Sequence, residues 1–526
     1  MKPGIYQFLI GCFASLGSLL FGYDLGVIAE AVASNSFKAQ FLQSSADSRS
    51  GTVVALFTGG CFVGAFAAGF ADRLGRRGTI LLACGIFMIG GIIQTAGVVI
   101  SMLYIGRLLA GIGVGLLTVG LFRSSSFLNL ADVYHMQMIV PIYQAEISHR
   151  RIRGRLTSLQ QLFDAVGQIF ATWISYGCYS AWDKKQNSAE WRVPLGIQIV
   201  PAILLATFVY MIPESPRWLC DHDQWEKGLA TLAQLHAHGN IHDPYVIAEY
   251  NLIEAQIRQE HTQKRKTYFD LFKGWPNIRR TILVMAAQAS TQMTGVSAIR
   301  YFSPEIFAQI GIPTATTLLL TGVQSIIAFL GTSVCIMVID SIGRRPLQIW
   351  GNVLMACTFA VNCALIKVFP PTSTSTAAHW TFIVMTWFFS FIFFITSGPL
   401  SWALPVEFFG TAMRSKGVAV GAMTSFAFNT MIGQVTPIAI SSIGWRYYFI
   451  FIITNITNAI FFWAFLPETK ALNLEDMDEL FHNSPLFVPG THWVPTSHVD
   501  ADAEMIAVGG KGSAEAAIRT EHDHHV

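Results

Sequence analysis

The chain has 526 residues, of which 52% are hydrophobic and only 13% charged, and it carries a formal net charge of +2. Such a composition is too apolar for a water-soluble protein of this length, and the Lys and Arg residues fall in short clusters without a continuous basic face, which excludes a nucleic-acid-binding surface. The eight cysteines lie mostly within apolar runs and show neither CxxC nor metal-ligand spacing, so neither a disulfide framework nor a metal site is expected.

A membrane span needs about 20 apolar residues. Runs of that kind begin near residues 5, 52, 79, 102, 156 and 193, and again near 281, 315, 347, 379, 416 and 445. The first run carries Asp24 and is too long for a secretory leader, so it reads as the first span. The pattern predicts an all-α membrane protein with twelve transmembrane helices in two six-helix bundles, 1–212 and 281–466. A mixed-charge, helical-looking stretch, 213–280, separates them as a central cytoplasmic loop, and a tail, 467–526, starts with an acidic amphipathic segment and is expected to be mostly disordered.

Basic clusters follow spans 2, 4, 6, 8 and 10, which assigns those loops and both termini to the cytoplasmic side. The two halves echo each other, because the Asp72-Arg73-Leu74-Gly75-Arg76-Arg77 loop recurs as Asp340-Ser341-Ile342-Gly343-Arg344-Arg345. An internal duplication with a pseudo-twofold axis explains this. Along the same loops Asp72, Arg76, Glu146, Arg153, Asp340, Arg344, Glu407 and Arg414 place opposite charges at the cytoplasmic ends of both halves, where salt bridges can latch them together.

Ionisable groups within spans are costly and mark pathways or relays. Three stand out: Asp24 in span 1, Arg107 in span 4 and Asp164 in span 5. Spacings of three, four and seven put Gln161, Asp164 and Gln168 on one helical face. Spans 7, 10 and 11 add further amides, hydroxyls and aromatics, the mixture needed to hold a ring that offers hydroxyls on its edge and CH groups on its faces.

The repeated D-x-x-G-R-R loops, Pro213-Glu214-Ser215-Pro216-Arg217 after span 6, the PIYQAEIS run after span 4 and Pro467-Glu468-Thr469-Lys470 after span 12 together resemble the sugar porter family of the major facilitator superfamily, in its fungal monosaccharide-carrier form. The resemblance implies the major facilitator fold, alternating access without covalent chemistry, no cofactor, and a monomer working in the plasma-membrane bilayer with a sugar and protons as its partners. It implies that Asp24 and Arg107 interact in proton coupling and that the positions of Gln161, Gln168 and Trp402 meet the sugar in relatives; Gln288, Thr291, Gln292 and Ser297 in the QQLTGIN-like stretch of span 7, with Phe426 and Asn429 in span 11, complete the expected substrate-binding set. Asp164 stands where relatives are usually apolar and is assigned to the cavity, as a hydroxyl ligand or a second proton site. Arg300 replaces a usual tyrosine near the outer end of span 7, where it is expected either at the extracellular gate or snorkelling to the interface. Facilitators of the family also keep an acid at the Asp24 position, which leaves a facilitative uniporter open; a sugar sensor is a second alternative, and Asp164, Ser297 and Arg300 leave room for a carrier of a polyol, a quinate-like acid or a disaccharide.

One stretch falls outside the resemblance. Residues 119–137 interrupt span 4 before the PIYQAEIS motif and set Arg123, Asn129, Asp132 and His135 where a helix should cross lipid. Removing the stretch restores family spacing, and its ends can be encoded as splice sites, which reads as a retained intron; a regulatory loop is the alternative.

Overall fold

The structure, a computed structural model, describes residues 9–13, 15–43, 46–67, 75–118, 120–121, 136–137, 153–182, 187–211, 213–262, 268–369, 375–409, 411–470 and 474–490. With no water in a bilayer core, a spanning backbone must bond within itself, and these residues are overwhelmingly helical. The first half holds α1 (Leu16–Ala33), α2 (Ala46–Ala67), α3 (Gly75–Thr95), α4 (Ile100–Thr118), α5 (Arg153–Trp182), and α6 (Ala189–Ile197) continued by α7 (Ile199–Phe208). Between the halves run α8 (Pro216–Asp221), α9 (Trp225–His236) and α10 (Pro244–Thr262). The second half holds α11 (Trp275–Met293), α12 (Val296–Ala308), α13 (Thr314–Ile342), α14 (Arg344–Val368), α15 (Thr376–Ile395), α16 (Ser397–Phe408), α17 (Thr411–Ile443) and α18 (Tyr448–Phe465), followed by α19 (Leu474–Asn483).

Among the described residues, ten stretches are long and apolar enough to cross a bilayer. The last of them, Lys416–Phe465, contains both α17 and α18, and α5 is a further long helix made more polar by Gln160, Gln161, Asp164 and Gln168. The bundle therefore has the twelve spans expected. Its outer surface is a belt of exposed aliphatic and aromatic side chains, including Ile89, Ile92, Ile105, Leu330, Trp350, Ile453 and Ile460. A surface of that extent would aggregate in water and is matched to lipid.

Lipid supplies no hydrophobic drive between helices, so close packing must. Small residues supply it where α1 meets α5: a methyl group on Gly22 would run into the Asp164 carbonyl, and one on Gly167 into the Leu19 carbonyl. The same device repeats between α2 and α4, where Gly60 meets Gly111, Gly64 meets the Ile112 backbone and Gly115 meets the Cys61 backbone. These contacts draw α1, α2, α4 and α5 together around the positions of Asp24, Arg107 and Asp164.

Two spans of the second half are broken. Between α11 and α12, Gly295 takes a left-handed φ of 94° against the rings of Phe359 and Phe451. The carbonyls freed there are covered by α18: Thr454 Oγ1 donates to Met293 O at 2.7 Å, and Asn455 Nδ2 donates to Thr294 O at 3.1 Å. The second break, at Thr396, separates α15 from α16. Broken helices at mid-membrane are where carriers bind their cargo, and both breaks border the cavity described below.

The duplication is visible in atomic detail. Glu214 Oε2 accepts from the Arg77 amide at the start of α3, and Glu468 accepts from the Arg344 and Arg345 amides at the start of α14, at 2.9 and 3.1 Å. Each places a carboxylate at a helix N-terminus, where the helix dipole favours it. The beginning of the tail is packed: Met477, Leu480 and Phe481 of α19 are buried against Leu283, Phe408 and Phe409, and Arg279 donates to Ser484 O at 2.8 Å. Residues 491–526 lie outside the described residues.

Replacing Gly22 by valine should cost about 1–3 kcal/mol or more through the clash with the α5 backbone, read as a lowered thermal midpoint of the purified protein. Gly85→Ala, where nothing approaches within 4 Å, should stay within about 0.5 kcal/mol of the parent.

Candidate functional site

Asp24 and Arg107 are both fully buried and meet as the sequence led us to expect. Arg107 NH1 donates to both carboxylate oxygens, at 2.9 and 2.8 Å, and Nε donates to Val53 O at 3.3 Å. The guanidinium also lies 4.4 Å from the centroid of the Phe57 ring, on its face. Arg107 NH2 is buried without a hydrogen-bond partner. Because Phe21 and Leu25 on either side of Asp24 line the central cavity, the ion pair sits directly behind the cavity wall.

The cavity lies between the two halves and encloses about 960 Å³ of space free of atoms, its open mouth included. The first half contributes Ser18, Phe21, Gln160, Gln161 and Asp164; the second contributes Thr291, Gln292, Ser297, Arg300, Tyr301, Trp402, Ser425, Phe426 and Asn429, among others. Several of these polar groups are held by each other. Gln292 accepts from Ser297 Oγ at 2.6 Å and donates to Ser425 Oγ at 2.9 Å, which ties the α11–α12 break to α17. Tyr301 donates to Asn429 Oδ1 at 3.1 Å. A fixed amide-and-hydroxyl lattice with Trp402, Phe394 and Phe426 as apolar walls suits a small polar ring.

Of the nine sequence-derived contact positions, Gln161, Thr291, Gln292, Ser297, Trp402, Phe426 and Asn429 line this cavity. Gln288 does not; it is buried behind the wall and ties α11 to α16 by donating to Ser401 O at 2.5 Å. Gln168 is also set back, and its Oε1 accepts from Arg300 NH2 at 3.1 Å. Asp164 lines the cavity and faces Arg300 from the other half, NH2 to Oδ2, at 3.6 Å. Arg300, expected at a gate or snorkelling to the interface, is thus part of the cavity wall. No sequence pattern pointed to this partnership, although a charge on an apolar run was its visible trace.

Further contacts join the halves from mid-bundle toward the end opposite α19. Thr321 Oγ1 of α13 donates to Glu30 Oε1 of α1 at 2.5 Å, and hydroxyls meet between Thr172 and Ser325 and between Thr58 and Thr430. Glu30, 3% exposed, is a buried acid that sequence reading passed over because it lies at the end of an otherwise apolar run. At the α19 end, Arg344 donates to Glu407 Oε1 through Nε and NH2 at 3.1 and 2.9 Å, and Thr469 donates to Glu407 Oε2 at 2.7 Å. Arg344 and Glu407 belong to the same half, and Arg414 donates to Phe409 O. The other members of the proposed latch, Asp72, Arg76, Glu146, Arg153 and Asp340, lie outside the described residues or have side chains that do.

Two pseudo-symmetric six-helix bundles around a central polar cavity, with broken helices at its edge, define a membrane carrier of the major facilitator type. Within that class the chain belongs to the sugar transporter family: the family model described as "Sugar (and other) transporter" matches residues 10–121 and 135–481. An MFS glucose transporter of Aspergillus flavus is 31% identical over 90% of this chain and 89% of its own length. A high-affinity glucose transporter of Kluyveromyces lactis is 28% identical over 98% and 92%. Among solved structures, the inward-open xylose transporter XylE from E. coli superposes with a TM-score of 0.72 at 26% identity, covering 90% of this chain and 100% of that one. A second XylE structure, titled a proton:xylose symporter bound to 6-bromo-6-deoxy-D-glucose, gives the same score, covering 90% and 99%.

Removing one partner of a buried ion pair leaves the other charge uncompensated, at a cost of about 3–5 kcal/mol. Arg107→Leu should therefore destabilise the protein by that order in thermal unfolding, and the double variant Asp24→Asn, Arg107→Leu should recover a measurable part of the loss.

Proposed function

We propose that the chain carries a monosaccharide, a hexose or pentose, across the membrane by alternating access, and that Asp24 takes up the proton that drives it. The observation that carries this reading is the cavity wall, in which Gln161, Gln292, Ser297 and Asn429 present amides and hydroxyls beside Trp402, with the Asp24–Arg107 pair immediately behind. The names of the glucose transporters and of the proton:xylose symporter point the same way. How tightly a carboxyl holds its proton depends on the charge beside it, so any movement that loosens the pair changes the proton affinity of Asp24. The contacts that join the halves toward the end opposite α19 fit one limb of such a cycle. The basic loops support cytoplasmic termini, and a plasma-membrane location follows only from the family resemblance.

The test is uptake of labelled glucose and xylose into cells lacking their own hexose carriers, with and without a protonophore. Concentrative uptake that the protonophore abolishes, and that Asp24→Asn reduces to equilibration, is the expected result. Uptake that only equilibrates in the parent protein would make it a facilitator.

Residues 119–137 bear on any such experiment. The family match stops at 121 and resumes at 135, and the ends of the stretch pair as two short antiparallel strands, β1 (Gly120–Leu121) and β2 (Met136–Gln137), with Gly120 opposite Gln137. Ends that lie side by side suit a spliced-out stretch and a genuine loop alike, so the retained-intron reading rests on the splice-like ends and the family spacing restored without the stretch. Sequencing transcripts across the Thr118–Met138 junction should yield message lacking the stretch; message that always contains it would make it a genuine loop.

A further inference from the structure

Sugar hydroxyls need hydrogen-bonding groups, but they do not need a full positive charge in the binding cavity. This cavity has one. Arg300 lies on its wall with only 14% of its side chain exposed, and its guanidinium is 5.8 Å from the Phe394 ring centroid. Its polar partners come from the opposite half, and they satisfy it incompletely. Gln168 Oε1 accepts one hydrogen bond, while Asp164 Oδ2 stands off at 3.6 Å, beyond ordinary hydrogen-bond reach. Arg300 Nε and Asp164 Oδ1 are both buried without any hydrogen-bond partner. A cavity guanidinium held by one amide, with its carboxylate partner standing off, keeps bonding capacity for a further acceptor. The acceptor that arginine binds best is a carboxylate that takes two of its donors at once.

We infer that the preferred cargo is a sugar acid, a polyhydroxylated monocarboxylate of hexose size, whose carboxylate binds Arg300 in competition with Asp164. The inference rests on the sugar-carrier reading, because the hydroxyls of the same cargo use the Gln161, Gln292 and Asn429 side of the cavity and its apolar face uses Trp402. Asp164 then has two functions. In the empty carrier it keeps the Arg300 charge from standing alone, and it sets a threshold that a neutral sugar, having no carboxylate, cannot overcome at Arg300. Because Asp164 lies on α5 and Arg300 on α12, the competition occurs across the seam between the halves, so that cargo replaces a contact joining them.

The experiment is equilibrium binding to the purified full chain in lipid nanodiscs, comparing D-glucose with D-glucuronate, D-galacturonate and D-gluconate, in the parent protein and in Arg300→Gln and Asp164→Asn. Glucose and glucuronate differ only at C6, so their affinity ratio isolates the carboxylate. At least one acid should bind about tenfold or more tighter than glucose, the size expected of a charge-assisted pair. Arg300→Gln should lower that acid-to-glucose ratio by about tenfold or more, and Asp164→Asn, which removes the competitor, should raise it. Glucose binding with none of the acids binding better would overturn the inference and leave the sugar-carrier reading intact. An acid that binds while neither substitution moves the ratio would overturn it in the same way. Binding of neither glucose nor any acid would count against the sugar-carrier reading itself.

Discussion

A carboxylate and a guanidinium cut off from water, Asp24 and Arg107, are tolerable inside an apolar bundle only as each other's partner, and much of the first half is arranged to keep them so. The two side chains come from α1 and α4, with α2 adding the Val53 carbonyl and the Phe57 ring. Three helices can come that close only where their contact faces lack bulk. Gly60, Gly64, Gly111 and Gly115 serve that purpose between α2 and α4, while Gly22 and Gly167 seat α1 on α5, and the position of the ion pair thus depends on residues that carry no chemistry of their own.

The second half meets the same solvent constraint differently. It breaks two spans, exposing backbone groups at the level of the cavity, and then satisfies them with side chains from a neighbouring helix, as Thr454 and Asn455 do for the α11–α12 break. The halves are related by duplication yet divide the work: one holds a buried charge pair, the other supplies most of the polar lattice and aromatic wall of the cavity. The seam between them carries hydroxyl contacts, Glu30 with Thr321 and Thr172 with Ser325, and the Asp164–Arg300 ion pair. Polar contacts of this kind can be exchanged for water when the halves part, which an interdigitated apolar interface would resist.

The architecture was readable from sequence because the membrane makes it so: the length of an apolar run and the sign of the loop charges carry the fold almost alone. The Asp24–Arg107 partnership and seven of the nine cavity positions came with the family resemblance, since motif spacing carries over to the equivalent helix face. Gln288 and Gln168 show the limit of that transfer. Both belong to the right helices, but whether an amide faces the cavity or turns to a carbonyl or a guanidinium depends on what the neighbouring helix offers, Ser401 in one case and Arg300 in the other. The Asp164–Arg300 pair was hidden for a related reason. Each residue departs from the family pattern individually, and only the fold brings the two departures together across the seam.

If the halves move cargo by alternating access, the cavity between them is where that cargo is held. A ligand-bound structure of the full chain in lipid tests this most directly. It should show the cargo ring against Trp402, within hydrogen-bond distance of Gln161 from the first half and of Gln292 or Asn429 from the second. Density for the cargo elsewhere, or contacts confined to one half, would contradict it.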